Sequence, residues 1–347
     1  IKRRKSCKLV RQQLSDFFMA TILTGDRPTG QLHLGHLFGS LLNRAKLQAE
    51  YDTYVIVADV QALTDNFHHP DKVRDNVYEV VLDNLAAGLN PQQATIFIQS
   101  LVPEIAELTV FFSNLVTLAR LERNPTVKTE LEQKKDLFKG GVTYGFLGYP
   151  VSQAADILTF QADLVPVGQD QEPMLEQTRE IARKFNSIYG RIFPEPKALL
   201  GDFPRLSGLD GNAKMSKSLG NAIYIADEPA IINKKIKIAK TDPQKIHKND
   251  PGHPQICPVY GYQQIFNAAE AKEIAKECKS GRLGCVDCKR CLADKVIAYL
   301  APLQERRRHY AEDMPKVRDI VRDGTAKARQ RARQTMAEVR EKMKIDY

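Results

Sequence analysis

The sequence lacks any run of eighteen or more apolar residues, the length at which a helix becomes a candidate to cross a bilayer. Its first eighteen residues are basic, but they lack the apolar core and the small-residue cleavage site of a secretory signal. No convincing internal repeat is present, so we do not expect a repeat array. A cytoplasmic protein with no membrane partner is therefore expected.

The composition fits a soluble protein with more than one domain. The 347 residues are 43% hydrophobic and 27% charged, which is ordinary for globular chains and enough for two cores. Met19-Ala20-Thr21 immediately precedes the first strand-like run and has the form of a natural start. Residues 1–18 are therefore expected to be a disordered extension outside the fold.

The net charge of +9 is concentrated at the two ends of the chain. Residues 1–18 carry six Lys and Arg against one acid, and residues 301–347 carry thirteen against eight. The rest of the chain is close to neutral. Basic ends on a neutral body favour a polyanionic partner. A solvated helix face with a disordered tail would explain the same pattern.

Apolar runs and helical patterns alternate along the first two thirds of the sequence. Strands are predicted at 21–25, 54–59, 95–98 and 165–168, and a helix at 103–121 follows the third strand. From Pro229 the pattern is helical to the end. We predict an α/β protein in which a Rossmann-like parallel sheet binds ligands at the carboxyl ends of its strands, followed by an all-helical C-terminal domain.

Two polar stretches stand out as functional candidates. The first is a turn that leads from Thr24 into His33-Leu34-Gly35-His36, and the second is Lys214-Met215-Ser216-Lys217-Ser218. The second pentapeptide has a chance frequency on the order of one in ten thousand for a chain of this length. Two imidazoles at a helix start and two lysines on a loop are suited to close on a triphosphate from opposite sides.

These stretches resemble the HIGH and KMSKS signatures of class I aminoacyl-tRNA synthetases, and the residues between them resemble the tryptophanyl family. The resemblance implies ATP-dependent activation of L-tryptophan, transfer to tRNA(Trp), Mg²⁺ with the ATP, and a homodimer. His33, His36, Lys214 and Lys217 would be catalytic. The ATP-binding set would be Thr24, Gly25, Arg27, His33, Gly35, His36, Gly168, Asp170, Lys214, Met215, Ser216, Lys217 and Ser218, with Gly35 allowing the adenine to approach the backbone.

The segments 149–158 and 165–171 resemble the family's amino-acid pocket. By that similarity Asp156 accepts the indole N–H, which is a donor only and needs an acceptor when buried. Helix capping or a salt bridge would also explain a carboxylate in this apolar segment. The predicted tryptophan-binding residues are Tyr149, Gln153, Asp156, Val165, Val167 and Gln171.

The chain departs from the family pattern in two places. The first signature is His-Leu-Gly-His where many members have Thr-Ile-Gly-Asn, and Gln169 replaces the acid of the family's Gly-Glu-Asp-Gln. Members also place a lysine near the triphosphate just after a Leu-Glu-Arg run. Lys128, Lys134 and Lys135 are all candidates for that position.

Cysteines cluster in one C-terminal segment. Cys257, Cys278, Cys285 and Cys288 are spaced C-x20-C-x6-C-x2-C, with Cys291 as an extra thiol. In a cytosolic protein such a cluster favours a metal over disulfides. The spacing resembles that of tryptophanyl synthetases with a four-iron four-sulfur (4Fe-4S) cluster. A tetrahedral zinc site and free thiols stay open, because all three use the same residues.

The predicted organisation is a catalytic domain over 19–228 and a helical anticodon-binding domain with the cysteines over 229–347. A tyrosyl-tRNA synthetase shares the architecture but needs both a donor and an acceptor for a phenol hydroxyl, whereas this pocket offers one obvious acceptor. An inactive synthetase-like protein that binds RNA, or a different kind of nucleotidyltransferase, would share part of the pattern. The two intact signatures argue against both.

Overall fold

The structure is a computed structural model that describes residues 19–168, 171–200, 206–211, 215–217 and 219–347. The predicted extension, residues 1–18, lies outside the described residues. Within the described part, no helix is sufficiently long and apolar to cross a membrane.

A five-stranded parallel sheet forms the centre of the fold, with strand order β3-β2-β1-β4-β5. β2 and β3 are almost entirely buried and rich in β-branched residues, as expected where helices cover both sides of a parallel sheet. The sheet confirms the Rossmann-like prediction and adds one strand that the sequence pattern did not predict, β5. The bounds are β1 Thr21–Asp26, β2 Asp52–Val57, β3 Ala94–Ile98, β4 Leu164–Val167 and β5 Lys197–Leu200.

Helices follow the strands and then form the C-terminal region. A π-helical segment, Leu37–Leu41, joins the first two helices. The helical C-terminal region comprises α10 to α14. The bounds are α1 Leu34–His36, α2 Leu42–Leu47, α3 Asp59–Ala62, α4 Pro70–Ala86, α5 Glu104–Ser113, α6 Leu118–Glu122, α7 Pro125–Gln133, α8 Tyr144–Thr159, α9 Glu172–Tyr189, α10 Pro229–Ile238, α11 Pro258–Phe266, α12 Ala271–Lys279, α13 Cys285–Glu312 and α14 Met314–Met343.

The prediction of one helix over 103–121 was wrong. The chain forms α5, leaves the helix after Ser113 and restarts as α6, where the Thr117 hydroxyl accepts a hydrogen bond from the backbone N–H of Arg120. A threonine N-cap of this kind starts a new helix without a break in apolar spacing, so periodicity alone does not reveal it. The polar stretch that follows contains α7 and the beginning of α8.

The last helix, α14, packs back onto the edge of the sheet. A Cβ at Gly324 would overlap the carbonyl oxygen of Ile96 in β3, so glycine permits this close approach. Thr325 Oγ1 lies 3.5 Å from the backbone nitrogen of Ile98. The helix thus covers edge strand β3. The domain division at residue 228 stays a prediction.

Candidate active site

A cleft of about 1120 Å³ opens at the carboxyl ends of β1 and β4, where ligands bind in open parallel sheets. Both predicted sets line it together. The lining includes Thr24, Gly25, Arg27, His33, His36, Tyr149, Gln153, Asp156, Val165, Val167, Gly168, Gln171, Met215, Ser216 and Lys217. Asp170, Lys214 and Ser218 lie outside the described residues.

The two histidines share the start of α1. His33 is buried and caps the helix through its Nδ1, which accepts a hydrogen bond from the backbone N–H of Gly35 at 3.1 Å. The Nδ1 of His36 accepts from the backbone N–H of His33 at 3.3 Å, and the two ring centroids lie 3.9 Å apart. Because Nδ1 is an acceptor in both rings, each neutral imidazole holds its proton on Nε2. Two such donors in a cleft suit phosphate oxygens.

Glycine is needed at position 35 because the His33 ring occupies the space that a side chain there would take. A Cβ at this position would lie 2.9 Å from the His33 ring, closer than side chains tolerate, and 3.7 Å from the Cβ of Met215. Gly35 does not line the cleft wall. Gly35 thus has a packing role, in which it lets the His33 ring fold back to cap the helix, and the expectation that it gives adenine room stays a prediction.

A buried ion pair beneath the histidines was not predicted. The Arg44 side chain is 1% exposed and donates to Asp26 Oδ2 at 2.6 Å and to Asn84 Oδ1 at 2.8 Å. Burial raises the pKa of Asp26, but the adjacent Arg44 guanidinium outweighs it and holds that pKa below its usual range. The pair connects the end of β1 to α2 and α4, so it fixes the turn that precedes His33. An arginine inside an otherwise amphipathic helix is the only sequence signal for it.

The described part of the lysine loop packs against the turn that leads to His33. Lys217 Nζ donates to the carbonyl oxygen of Gly30 at 2.6 Å, and burial lowers the pKa of Lys217 to about 8. Asn221 anchors the loop, because its Oδ1 accepts from the backbone N–H of Ser216 at 2.8 Å and its Nδ2 donates to Asp210 at 2.9 Å. The ammonium group is thus held against the turn that leads to His33.

The two signature elements are joined through their backbones. Leu34 N donates to Ile223 O at 2.9 Å, and Ile225 N donates to Leu32 O at 3.0 Å. These bonds pair the chain around His33 with the segment that follows the lysine loop, in an antiparallel bridge between His33 and Tyr224. Nearly two hundred residues of sequence separate the partners, so the contact follows from the tertiary fold.

Asp156 lies 3% exposed on α8 at the bottom of the cleft. Its Oδ1 accepts from Gln99 Nε2 at 2.7 Å, and Gln99 Oε1 accepts from the backbone N–H of Gln61 at 3.0 Å. No cation among the described residues pairs with Asp156, so burial raises its pKa to about 8. Neither capping nor a salt bridge therefore accounts for this carboxyl. Gln99, which was not predicted, orients it.

The remaining predicted pocket residues surround Asp156. Tyr149 and Val165 are buried, while Gln153, Val167 and Gln171 are half-buried. Burial raises the pKa of Tyr149, so its hydroxyl stays protonated. An apolar wall with a single deep carboxyl suits a flat ring that has one N–H.

One of the three candidate lysines lies in the cleft. Lys134 lines the cleft and its Nζ pairs with Asp65 Oδ2 at 2.7 Å, whereas Lys128 and Lys135 are exposed and do not line it. Asp65 also pairs with Arg27. One carboxylate thus holds two cations at the rim of the cleft.

The four predicted metal ligands lie on neighbouring elements of the C-terminal region. Cys257 precedes α11, Cys278 lies in α12, and Cys285 and Cys288 lie in the first turn of α13. Burial raises the pKa of Cys288 to about 11, and the other three thiols add to this shift. In the part of the chain that the structure describes, no three His, Cys, Asp or Glu side chains form a group that could hold a metal ion.

Comparisons with known proteins agree with this geometry. Residues 19–301 match the family described as "tRNA synthetases class I (W and Y)". The tryptophan–tRNA ligases of Clostridium longisporum and Lactococcus lactis are 49% and 51% identical, over 94% of this chain and 97% and 98% of theirs. The structure of Campylobacter jejuni tryptophanyl-tRNA synthetase complexed with ADP and tryptophan superposes with a TM-score of 0.83 at 30% identity, covering 93% of this chain and 99% of that one. This chain therefore belongs to the tryptophanyl-tRNA synthetases, within the class I synthetases for tryptophan and tyrosine.

Proposed function

We propose that this protein activates L-tryptophan with ATP and transfers the tryptophanyl group to tRNA(Trp). The observation that carries the proposal is the buried Asp156 carboxyl, oriented by Gln99 in the cleft that also holds the two signature elements. Gln99 already donates to one oxygen of the Asp156 carboxylate, so the carboxylate is left to accept a hydrogen bond from the substrate. An indole N–H needs only such an acceptor, whereas a phenol hydroxyl needs both a donor and an acceptor. Relatives of about half identity with the same specificity support the assignment.

The cleft residues divide the activation step between them. The amino-acid carboxylate attacks the α-phosphorus of ATP, the bond from that phosphorus to the bridging oxygen breaks, and pyrophosphate leaves with the electron pair. His33 and His36 donate Nε2–H to phosphate oxygens, and Lys217, held against the adjoining turn at Gly30, adds a positive charge. Fixed donors of this kind stabilise the charge that develops in the transition state. Mg²⁺ would arrive on the triphosphate and neutralise part of its charge.

At the rim, ATP competes with an existing ion network. Asp65 pairs with both Arg27 and Lys134. A triphosphate offers these cations more negative charge than one carboxylate. We propose that Lys134 is the family's triphosphate-side lysine, and that Asp65 releases it when ATP binds.

The direct test is amino-acid-dependent exchange of pyrophosphate into ATP, with tryptophan and tyrosine run side by side. We expect exchange with tryptophan and none above background with tyrosine. Exchange with tyrosine alone would assign the other specificity of the family, and no exchange with either would favour an inactive protein that binds RNA.

We also propose that Cys257, Cys278, Cys285 and Cys288 hold a 4Fe-4S cluster. The other three thiols act on the pKa of Cys288, which places them in its neighbourhood, and Cys278 Sγ packs against Gly252, where a Cβ would lie 2.5 Å from the sulfur. A zinc ion needs four thiolates at about 2.3 Å from one centre. A four-iron cluster uses the same four thiolates, and the C-x20-C-x6-C-x2-C spacing is the feature that favours it here. Bound there, a cluster would stabilise the helical region by linking α11, α12 and α13.

Protein purified without oxygen should show the broad visible absorption of an iron–sulfur cluster, with equal amounts of iron and acid-labile sulfide. Cys285→Ser should abolish this colour, whereas Cys291→Ser, the matched control on the same helix, should keep it. Stoichiometric zinc without colour would instead assign a zinc site. Protein with neither metal would leave free thiols.

Three further proposals rest on the family and on surface properties. Residues 229–347 would read the anticodon, using their excess of basic side chains to contact unstacked bases.

A homodimer is supported by exposed apolar side chains at Leu101, Val110 and Leu118, and analytical sedimentation would test it. A cytoplasmic location is consistent with a role in translation.

A further inference from the structure

Helix α13 reaches the loop before His33 through Arg307. The Arg307 side chain is 15% exposed, and its Nε donates to Asp83 Oδ1 at 2.8 Å while its Nη2 donates to Glu79 Oε2 at 2.5 Å. Both carboxylates belong to α4. Burial raises the pKa of Asp83 to about 6, against the lowering by Arg307, so the carboxylate depends on this guanidinium for its charge.

The same two carboxylates bond to Gln31 and Leu32, at the beginning of residues 31–36, which we call the histidine element. Asp83 Oδ2 accepts from the backbone N–H of Leu32 at 2.9 Å, and Glu79 Oε2 accepts from Gln31 Nε2 at 3.0 Å. Leu32 is fully buried and directly precedes His33. One guanidinium therefore sets the position of two carboxylates, and these set the entry into α1.

One turn earlier on α13, Gln304 holds the other element. Its Nε2 donates to the carbonyl oxygens of Ile225 and Asp227, at 3.0 Å and 2.9 Å. Ile225 in turn donates its N–H to Leu32 O. The backbone of Leu32 is thus bonded on one side to the Arg307 branch, through Asp83, and on the other to the Gln304 branch.

We infer that Arg307 and Gln304 are positioning residues for amino-acid activation, which hold the histidine element and the lysine loop at the separation that ATP requires. Neither side chain lines the cleft, so both act through the backbone of residues 31 to 34 and 223 to 227. This inference rests on the proposed activation reaction. Displacements of about 1 Å in such a frame can cost on the order of a hundredfold in rate.

The test is Arg307→Met in the full chain, with pyrophosphate exchange measured at varied ATP and at varied tryptophan. We expect KM for ATP to rise about tenfold or more while KM for tryptophan changes less than twofold, since Asp156 does not depend on α13. Arg307→Lys keeps a charge beside Asp83 and should recover part of the loss. Gln304→Leu should shift KM for ATP in the same direction.

The matched control is Arg306→Met. Arg306 is the neighbouring residue, and its Nε donates to Ala86 O at 2.8 Å, so it joins the same two helices without touching the carboxylates. We expect its KM values to equal those of the wild type. If Arg307→Met lowers the melting temperature but leaves both KM values at wild type, or if Arg306→Met matches its effect, the inference is overturned. Absence of exchange in the wild type would reject the proposed function instead.

Discussion

Replacing Lys217 by alanine is expected to lower tryptophan-dependent pyrophosphate exchange by about a hundred- to a thousandfold, the usual effect of removing one donor from a transition state. The ammonium group already lies against the turn that leads to His33, where its Nζ donates to Gly30 O. The α-phosphate gains charge in the transition state, so loss of this cation raises the barrier more than it weakens ground-state binding.

Tryptophan affinity provides the internal reference for this variant. Lys217 and Asp156 are separate parts of the cleft lining, and we expect equilibrium binding of tryptophan to the Lys217→Ala protein to match the wild type. Lys240→Ala is the matched control, because Lys240 is exposed and only its backbone N–H is bonded to the loop, at Leu209 O. Exchange at the wild-type rate in Lys217→Ala would remove this lysine from catalysis.

The second large effect is expected for Asp156→Asn, which should weaken tryptophan binding by about ten- to a hundredfold and reduce the preference over tyrosine. Gln99 Nε2 already donates to one carboxyl oxygen, and the Gln61 backbone fixes that orientation. The oxygen of an asparagine would keep the Gln99 bond. Its NH₂ group would then face the indole N–H, donor against donor.

The raised pKa of Asp156 gives this prediction a pH signature. An indole N–H stabilises the carboxylate, so wild-type affinity for tryptophan should increase from pH 6 to pH 8, around the pKa of about 8 that burial produces, whereas Asp156→Asn should be flat. Stability should change in the opposite sense. The unfolded carboxyl ionises near 3.8, so the folded protein binds more protons between about pH 4 and 8 and becomes less stable as pH rises.

Urea unfolding checks the linkage. As pH rises from 6 to 8, the unfolding free energy of Asp156→Asn should increase relative to that of the wild type. Asp163→Asn, an exposed carboxyl just before β4 that accepts from the backbone N–H of Thr21, should show neither this trend nor a change in tryptophan affinity. Unchanged selectivity and an unchanged pH profile in Asp156→Asn would exclude this residue from the pocket.

The sequence by itself determined the class of fold and most of the cleft. Apolar runs alternating with helical periodicity are enough to predict a parallel sheet, because such strands are buried on both faces. The histidine signature at residues 33–36 and the pentapeptide at residues 214–218 can be recognised from the sequence without any tertiary information. β5 escaped prediction because a strand of four residues beside proline-rich connections carries too little periodic signal.

Which side chains position the residues of those motifs depends on the tertiary structure. Gln99 and Arg307 show no local pattern, and Arg44 shows only its place in an amphipathic helix, since each acts on a partner that is distant in sequence. The choice of Lys134 among three lysines likewise depended on which one faces Asp65. Short motifs in the sequence identify the chemical groups of the site. The orientation of a buried polar group, in contrast, depends on partners that only folding brings within hydrogen-bond distance.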